Sequence, residues 1–215
     1  MKKIAIVLSG NGVYDGAEIH EATMSMLAIV KNGGSYDVFA PDIEQHHVIN
    51  HITGEEMPET RNVLIESARI ARGAISDIKN YNPKDYDALL FPGGFGVAKN
   101  LSSFAFDGPD CKVLPEVEKA IKDTVSAKKP IGALCIAPAM VAKVLKDIEV
   151  TIGTDKETAK AIEAMGAKHI EMLHGNVVVD KHYKVVTTPC YMLDATIMDI
   201  YEDANAVVET IFSMI

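Results

Sequence analysis

The chain has 215 residues, a length that suits one α/β domain spanning 1–215. Apolar residues make up 48% and charged residues 24%, enough for a large core under an ordinary water-facing surface. Lys+Arg 21 against Asp+Glu 30 gives a net charge of −9, which argues against nucleic acid or an anionic membrane as partner, since both call for a clustered positive face.

The pattern alternates strand and helix almost from end to end. Ile4-Ala5-Ile6-Val7-Leu8 is a short continuous apolar run ending in Ser9-Gly10-Asn11-Gly12, which reads as a strand buried on both faces rather than a targeting segment. Spacing of Ile19, Thr23, Met26, Ala28 and Val30 predicts a helix over about 16–32, stopped by Gly33-Gly34. Tyr36 to Ala40 reads as a second strand. The histidine-rich stretch 42–57 has little periodicity, and a helix is expected over about 60–72. A third strand, Tyr86 to Phe91, runs into Pro92-Gly93-Gly94-Phe95-Gly96. Pro115 suits the first turn of a helix lasting to about Ala127.

Ile131 to Leu134 reads as a fourth strand, followed without a loop by a helix through about Lys146. Val150-Thr151-Ile152 gives another short strand, and Thr154-x-x-Glu157 is a capping-box pattern opening a helix up to Met165-Gly166. Val177 to Asp180 and Lys184 to Thr187 read as an antiparallel hairpin, and a last helix carries Ile197, Tyr201, Ala204, Val208 and Ile211. The alternation predicts an open, mainly parallel sheet with helices on both faces.

In such sheets the functional groups sit at the carboxyl ends of the strands. The passage Ala133-Leu134-Cys135-Ile136-Ala137 turns a strand straight into a helix, which exposes one side chain at a tight corner and requires small neighbours two residues before and after. Cys135 occupies that corner at a helix N-terminus, where the dipole and free N–H groups favour a thiolate. The bland alternative is a small buried hydrophobe. Gly93 and Gly94 close the neighbouring strand, and their N–H groups, with that of Ile136, are placed to hold an oxyanion formed on Cys135. Glu18 is the candidate acid/base, although spacing alone favours a solvated first-turn glutamate. His46, His47 and His51 have the look of ligands, but no cysteine or carboxylate framework closes a zinc site, so no metal and no organic cofactor are expected. His169, His174 and His182 are expected on or near the surface. Cys111 reads as a loop or surface thiol; Cys190, at another strand end, either borders the same pocket or, the favoured alternative, is simply a buried residue. Three widely spaced cysteines make neither a disulfide framework nor a CxxC site and fit a reducing cytoplasm.

The segments Gly10 to Glu21, Val48 to Glu55, Glu59 to Glu66, Pro92 to Leu101, Cys135 to Ala139 and Thr151 to Asp155 resemble the ElbB family of isoprenoid-biosynthesis-associated, amidotransferase-like proteins within the PfpI/ThiJ superfamily. The resemblance covers essentially the whole chain. It implies a flavodoxin-like three-layer α/β sandwich of the class I glutamine-amidotransferase-like type, a homodimer, an elbow cysteine at Cys135 and a partnering carboxyl at Glu18. It also implies a glutathione-independent glyoxalase acting on a small dicarbonyl, glyoxal or methylglyoxal, through a hemithioacetal. A non-catalytic cysteine redox sensor is the alternative. Two departures matter: Ile136 stands where many superfamily members carry His, and the His-x-Glu pair of a glutaminase triad is missing near the C-terminus. Glutaminase and peptidase activities are therefore not expected. If a histidine assists Cys135, His51 is the first choice, and Tyr14, His51 and Phe95 are the residues expected to tune the pocket.

Overall fold

The computed structural model describes residues 1–215. Nine strands and seven helices follow in chain order: β1 (Lys3–Val7), α1 (Ile19–Lys31), β2 (Ser35–Ala40), α2 (Val63–Ile70), β3 (Ile75–Asp77), β4 (Ala88–Phe91), α3 (Phe104–Asp107), α4 (Pro115–Ser126), β5 (Ile131–Leu134), α5 (Ala137–Val144), β6 (Glu149–Val150), α6 (Lys156–Ala164), β7 (Lys168–His169), β8 (Val178–Asp180), β9 (Val185–Thr188) and α7 (Ile197–Ser213). A single wide turn of π-helix, Val97–Leu101, follows β4.

Seven strands form one sheet in the order β3-β2-β1-β4-β5-β9-β8, and β6 pairs with β7 separately. All neighbours in the large sheet are parallel except β8, which runs antiparallel to β9. The expected flavodoxin-like sandwich is therefore what the chain forms. Because strand side chains alternate between faces, each central strand feeds two cores. Ala5, Val7, Leu89, Phe91, Ile131 and Ala133 face α4, α5 and α6, whose Val117, Ile121, Met140 and Ile162 are buried against them. Ile4, Ile6, Leu8, Leu90, Leu134 and Val186 face α1 and α7 through Ala22, Ile29, Ala204 and Val208. α7 presses so closely on β5 that a Cβ at Gly132 would stand 2.9 Å from both Ile211 and Val207.

The connections leave β1 toward β2 on one side and return to β4 on the other, so β1 and β4 flank the switch point where such sheets bind ligands. Register then sets three strand ends side by side, with Leu90 opposite Gly132 and Leu134 opposite Thr188.

Several elements differ from the sequence reading. β3 lies in a stretch with no strand signal, being only three half-exposed residues at the sheet edge. α1 begins at Ile19 rather than near Gly16, because Glu18 is its N-cap and accepts from the Glu21 N–H at 2.7 Å. Its apolar stripe is also phased differently. The buried residues are Glu21, Ala22, Ser25, Met26, Ala28 and Ile29, whereas Ile19 and Val30 are exposed. α6 is capped by Asp155, not Thr154, through the Thr158 N–H at 2.8 Å. Cys111 is buried in the core rather than at the surface. No helix is long and apolar enough to cross a membrane.

Candidate active site

Cys135 sits at the end of β5 with a left-handed backbone (φ 59°), a conformation that costs a non-glycine residue of order 1–3 kcal/mol and persists only where the surroundings impose it. Its N–H is held by the Thr188 carbonyl at 3.0 Å, and α5 starts two residues later with Pro138 in its first turn. The tight strand-to-helix corner read from the sequence is present in these terms. The sulfur lines a cavity of about 350 Å³ together with Val13, Gly94, Phe95, Phe104, Ile136 and Tyr191.

The two loops beside the elbow are locked together backbone to backbone. Glu18 N–H donates to Gly93 O (2.9 Å), Phe95 N–H to Val13 O (2.7 Å) and Gly96 N–H to Gly16 O (2.8 Å). Such close approach excludes side chains: a Cβ on Gly94, whose φ is +97°, would stand 2.4 Å from Glu18 N. The locked loops present the Gly94 N–H to the Cys135 sulfur, and the elbow itself presents that of Ile136. Gly93 has a different task, since its N–H donates to Glu21 Oε2 at 2.8 Å.

The carboxyl beside Cys135 is that of Glu21, not Glu18. Glu21 is fully buried, its Oε1 accepts from Tyr191 N–H at 3.3 Å, and its carboxyl reaches the Cys135 sulfur. Burial, reinforced by the nearby Glu18 charge, pushes the Glu21 acid up to about 8 in spite of the N–H groups of Gly93 and Tyr191. Glu18 turns its carboxylate back onto the helix it caps, one turn before Glu21, and so acts on the pair through space only.

The thiolate expected from the helix dipole is not favoured. Burial and the Glu21 charge together raise the Cys135 thiol well above its ordinary value, outweighing the Gly94 and Ile136 N–H groups. While Glu21 is ionised, the sulfur keeps its proton. Cysteine and carboxyl thus behave as one unit in which a single proton can move.

His51 lies elsewhere. Its Nε2 receives the Tyr14 N–H at 3.2 Å, its Nδ1 faces Ile49 O at 3.0 Å, and its ring lies 4.8 Å from that of Tyr14, tilted by 31°. It clasps the loop of Gly12 to Tyr14, and neither it nor any other histidine lines the cavity. His46 and His47 pack against Phe106, and no group of three or more His, Cys, Asp or Glu residues is arranged to hold a metal ion. Of the residues expected to tune the pocket, Phe95 lines it while Tyr14 and His51 do not.

Two residues that the sequence left as background brace the site from behind. Asp203, fully buried on α7, accepts from His174 Nδ1 (2.7 Å), Gly175 N–H (2.6 Å) and Cys190 N–H (3.0 Å). These bonds hold Cys190, buried with φ 44°, and thereby the adjoining Tyr191 N–H that carries Glu21 Oε1. His174 lies near the surface as expected, and its ring is tied to Asp203.

Comparison with known proteins places this geometry in context. The sequence pattern of the DJ-1/PfpI family matches residues 3–194. The human protein called glutamine amidotransferase-like class 1 domain-containing protein 3, mitochondrial, is 48% identical over 222 residues, covering 99% of this chain and 83% of its own. The crystal structure of an isoprenoid biosynthesis protein with amidotransferase-like domain from Ehrlichia chaffeensis superposes with a TM-score of 0.92 at 36% identity, over 100% of this chain and 99% of the other. Glyoxalase III from Candida albicans shares the fold, with a TM-score of 0.63 at 17% identity over 99% and 97% of the two chains.

Proposed function

The chain belongs to the DJ-1/PfpI family, and from that premise we propose that it is a glutathione-independent glyoxalase, converting a small 2-oxoaldehyde to the 2-hydroxy acid on Cys135. The observation that carries this reading is that Cys135, which lines the cavity with Gly94 and Ile136, has the N–H groups of those two residues on its sulfur and the Glu21 carboxyl directly behind it.

The steps follow from the residues. With Glu21 ionised, the Cys135 sulfur attacks the aldehyde carbon and passes its proton to Glu21. The carbonyl π pair becomes an oxyanion at the donors of Gly94 and Ile136, which the Glu21 proton neutralises to a hemithioacetal. Glu21 then removes the hydrogen from the former aldehyde carbon, giving an ene-diolate charged on the former ketone oxygen; the hemithioacetal hydroxyl proton passes to that oxygen, and Glu21 returns its proton to the neighbouring carbon. The aldehyde carbon is oxidised to a thioester while the ketone carbon is reduced to an alcohol, so no external oxidant or reductant is needed. Water cleaves the thioester, releasing the 2-hydroxy acid and restoring the thiol. A Glu21 acid near 8 suits both roles, because its conjugate base is stronger than an ordinary carboxylate.

The redox-sensor reading has one observation in its favour: a carboxyl protonated at neutral pH can donate to a sulfinate oxygen on Cys135. Against it stand the 7% exposure of Cys135 and the raised thiol, both of which slow oxidation. Kinship within the family to ElbB-type proteins is supported by the Ehrlichia structure, and the homodimer expected for such proteins belongs to the same proposal. Three buried free thiols suit a reducing compartment, the cytoplasm on our reading, although the human relative's name places that protein in mitochondria.

The test is conversion of methylglyoxal in D2O without glutathione. The proposal expects lactate bearing deuterium at C2, from exchange on Glu21, and no product from Cys135→Ala. No turnover by the folded wild-type protein, or turnover surviving in Cys135→Ala, would leave the sensor reading in its place.

A further inference from the structure

The cavity above Cys135 is larger than glyoxal requires. Its volume of about 350 Å³ falls at the lower end of pockets that take whole small-molecule ligands, and a molecule of four heavy atoms fills only the part nearest the sulfur. The remainder is walled by Val13, Phe95, Ala98, Phe104, Ile136 and Met192. Only Thr158 and Tyr191 bring polar side chains, and both are neutral.

Charge points the same way. No Lys, Arg or His lines the cavity, so a carboxylate or phosphate on the substrate would meet no counter-ion. Lys99, whose ammonium stands over the Phe95 ring at 5.2 Å, is engaged by the Tyr14 carbonyl at 2.8 Å. Behind the floor stand the carboxyl groups of Glu21 and Glu18, in a chain whose net charge is −9. An anionic substrate would find no cation on the cavity wall and would face the Glu18 charge behind its floor.

We infer that the site selects neutral carbonyl electrophiles with an aryl or bulky alkyl substituent, the carbonyl against Cys135 and the substituent between Phe104 and Met192. This rests on the glyoxalase reading only for the chemistry, because the selectivity is a property of the cavity walls. Phe104 and Met192 are then specificity-determining residues.

Two measurements on the full chain separate the selectivity from the chemistry. The first is kcat/KM for phenylglyoxal and for glyoxal. The second is the rate of Cys135 alkylation by N-phenyliodoacetamide and by iodoacetate, each divided by its rate with free cysteine. The inference expects phenylglyoxal to be preferred by roughly tenfold or more, the scale on which apolar pockets discriminate. It expects the neutral aryl reagent to be preferred over iodoacetate by at least the same factor, and Phe104→Ala to lower both preferences. Turnover of glyoxal with equal or lower kcat/KM for phenylglyoxal, together with alkylation indifferent to aryl group and charge, overturns the inference and leaves the glyoxalase reading standing. No turnover of either aldehyde, with the alkylation preference intact and diminished in Phe104→Ala, removes the glyoxalase reading and upholds the selectivity.

Discussion

Glu21 and Cys135 meet across the bare Cα of Gly93. A Cβ placed there would stand 2.5 Å from Cys135 Cβ, 2.7 Å from Glu21 Oε2 and 3.0 Å from Cys135 Sγ. The same residue's N–H fixes Glu21 Oε2, so one glycine both makes room for the pair and orients half of it. Substitution of Gly93 by alanine should therefore lower turnover at least a hundredfold, since displacement by about 1 Å is enough to cost that much. The protein should still fold, with overpacking costing about 1–3 kcal/mol. Kinetics and thermal unfolding of Gly93→Ala check both parts, and a variant of near wild-type activity would contradict the geometry.

Glu21→Gln and Glu18→Gln should behave differently. The first removes the only carboxyl in reach of the sulfur and should cost about 10²–10⁴-fold in kcat, the usual contribution of a positioned acid/base. The second leaves the pair in place. Because the Glu18 charge helps hold Glu21 up, Glu18→Gln should instead move the midpoint of the rising limb of the activity profile to lower pH. Loss of activity in Glu18→Gln comparable to that in Glu21→Gln would restore Glu18 as the acid/base.

Glu21 should also make the fold less stable as pH rises. Its folded value of about 8 exceeds the ordinary 4.5, so its stabilising share is complete below 4.5 and is lost as pH climbs through 8. Thermal midpoints from pH 5 to 9 should fall, and the fall should be shallower in Glu21→Gln. An unchanged slope in that variant would mean that the carboxyl is not buried as described.

The His174–Asp203 contact adds a second term of the same sign at higher pH. Burial alone would lower the imidazole, but the hydrogen bonds to Asp203 and the Asp194 carbonyl raise it above its ordinary 6.5. Its contribution is complete below 6.5 and is lost as pH rises through the raised value. His174→Ala should destabilise by about 1–3 kcal/mol, the cost of leaving a buried acceptor short of a donor, and more at pH 6 than at pH 9. Equal losses at both pH values would contradict an ionised His174 in the contact.

Much of this arrangement was legible in the sequence. Continuous apolar strands, the small residues flanking Cys135 and the paired glycines after Phe91 led to the sheet, the elbow and the donors of Gly94 and Ile136. The acid was not found, because the stripe on α1 was phased on Ile19 and Val30, which face outward. Phased on Ala22, Ser25 and Ile29, the same helix puts Glu21 on the buried face, and a lone glutamate on an otherwise apolar stripe is a signal in its own right. Gly93 was assigned to the oxyanion because nothing local distinguishes two adjacent glycines; only the position of Glu21 does. The His51 reading failed for another reason. A histidine in a loop carries no record of which backbone groups its ring will meet, and here they are Tyr14 and Ile49. Asp203 and His174 lie 29 residues apart, and their pairing follows from the docking of α7, which no local pattern encodes.

The central claim is that Glu21 and Cys135 work as a pair holding one mobile proton. It is tested most directly by the pH dependence of kcat/KM for methylglyoxal between pH 5 and 9.5, in the wild type and in Glu21→Gln. Below about 8 both groups are protonated and the pair lacks a base, so the wild-type rate should rise with pH through a midpoint near 8. The residual rate of Glu21→Gln should lack that limb. A wild-type limb centred near 4.5, the ordinary carboxyl value, or a limb near 8 that survives in Glu21→Gln, would contradict the account.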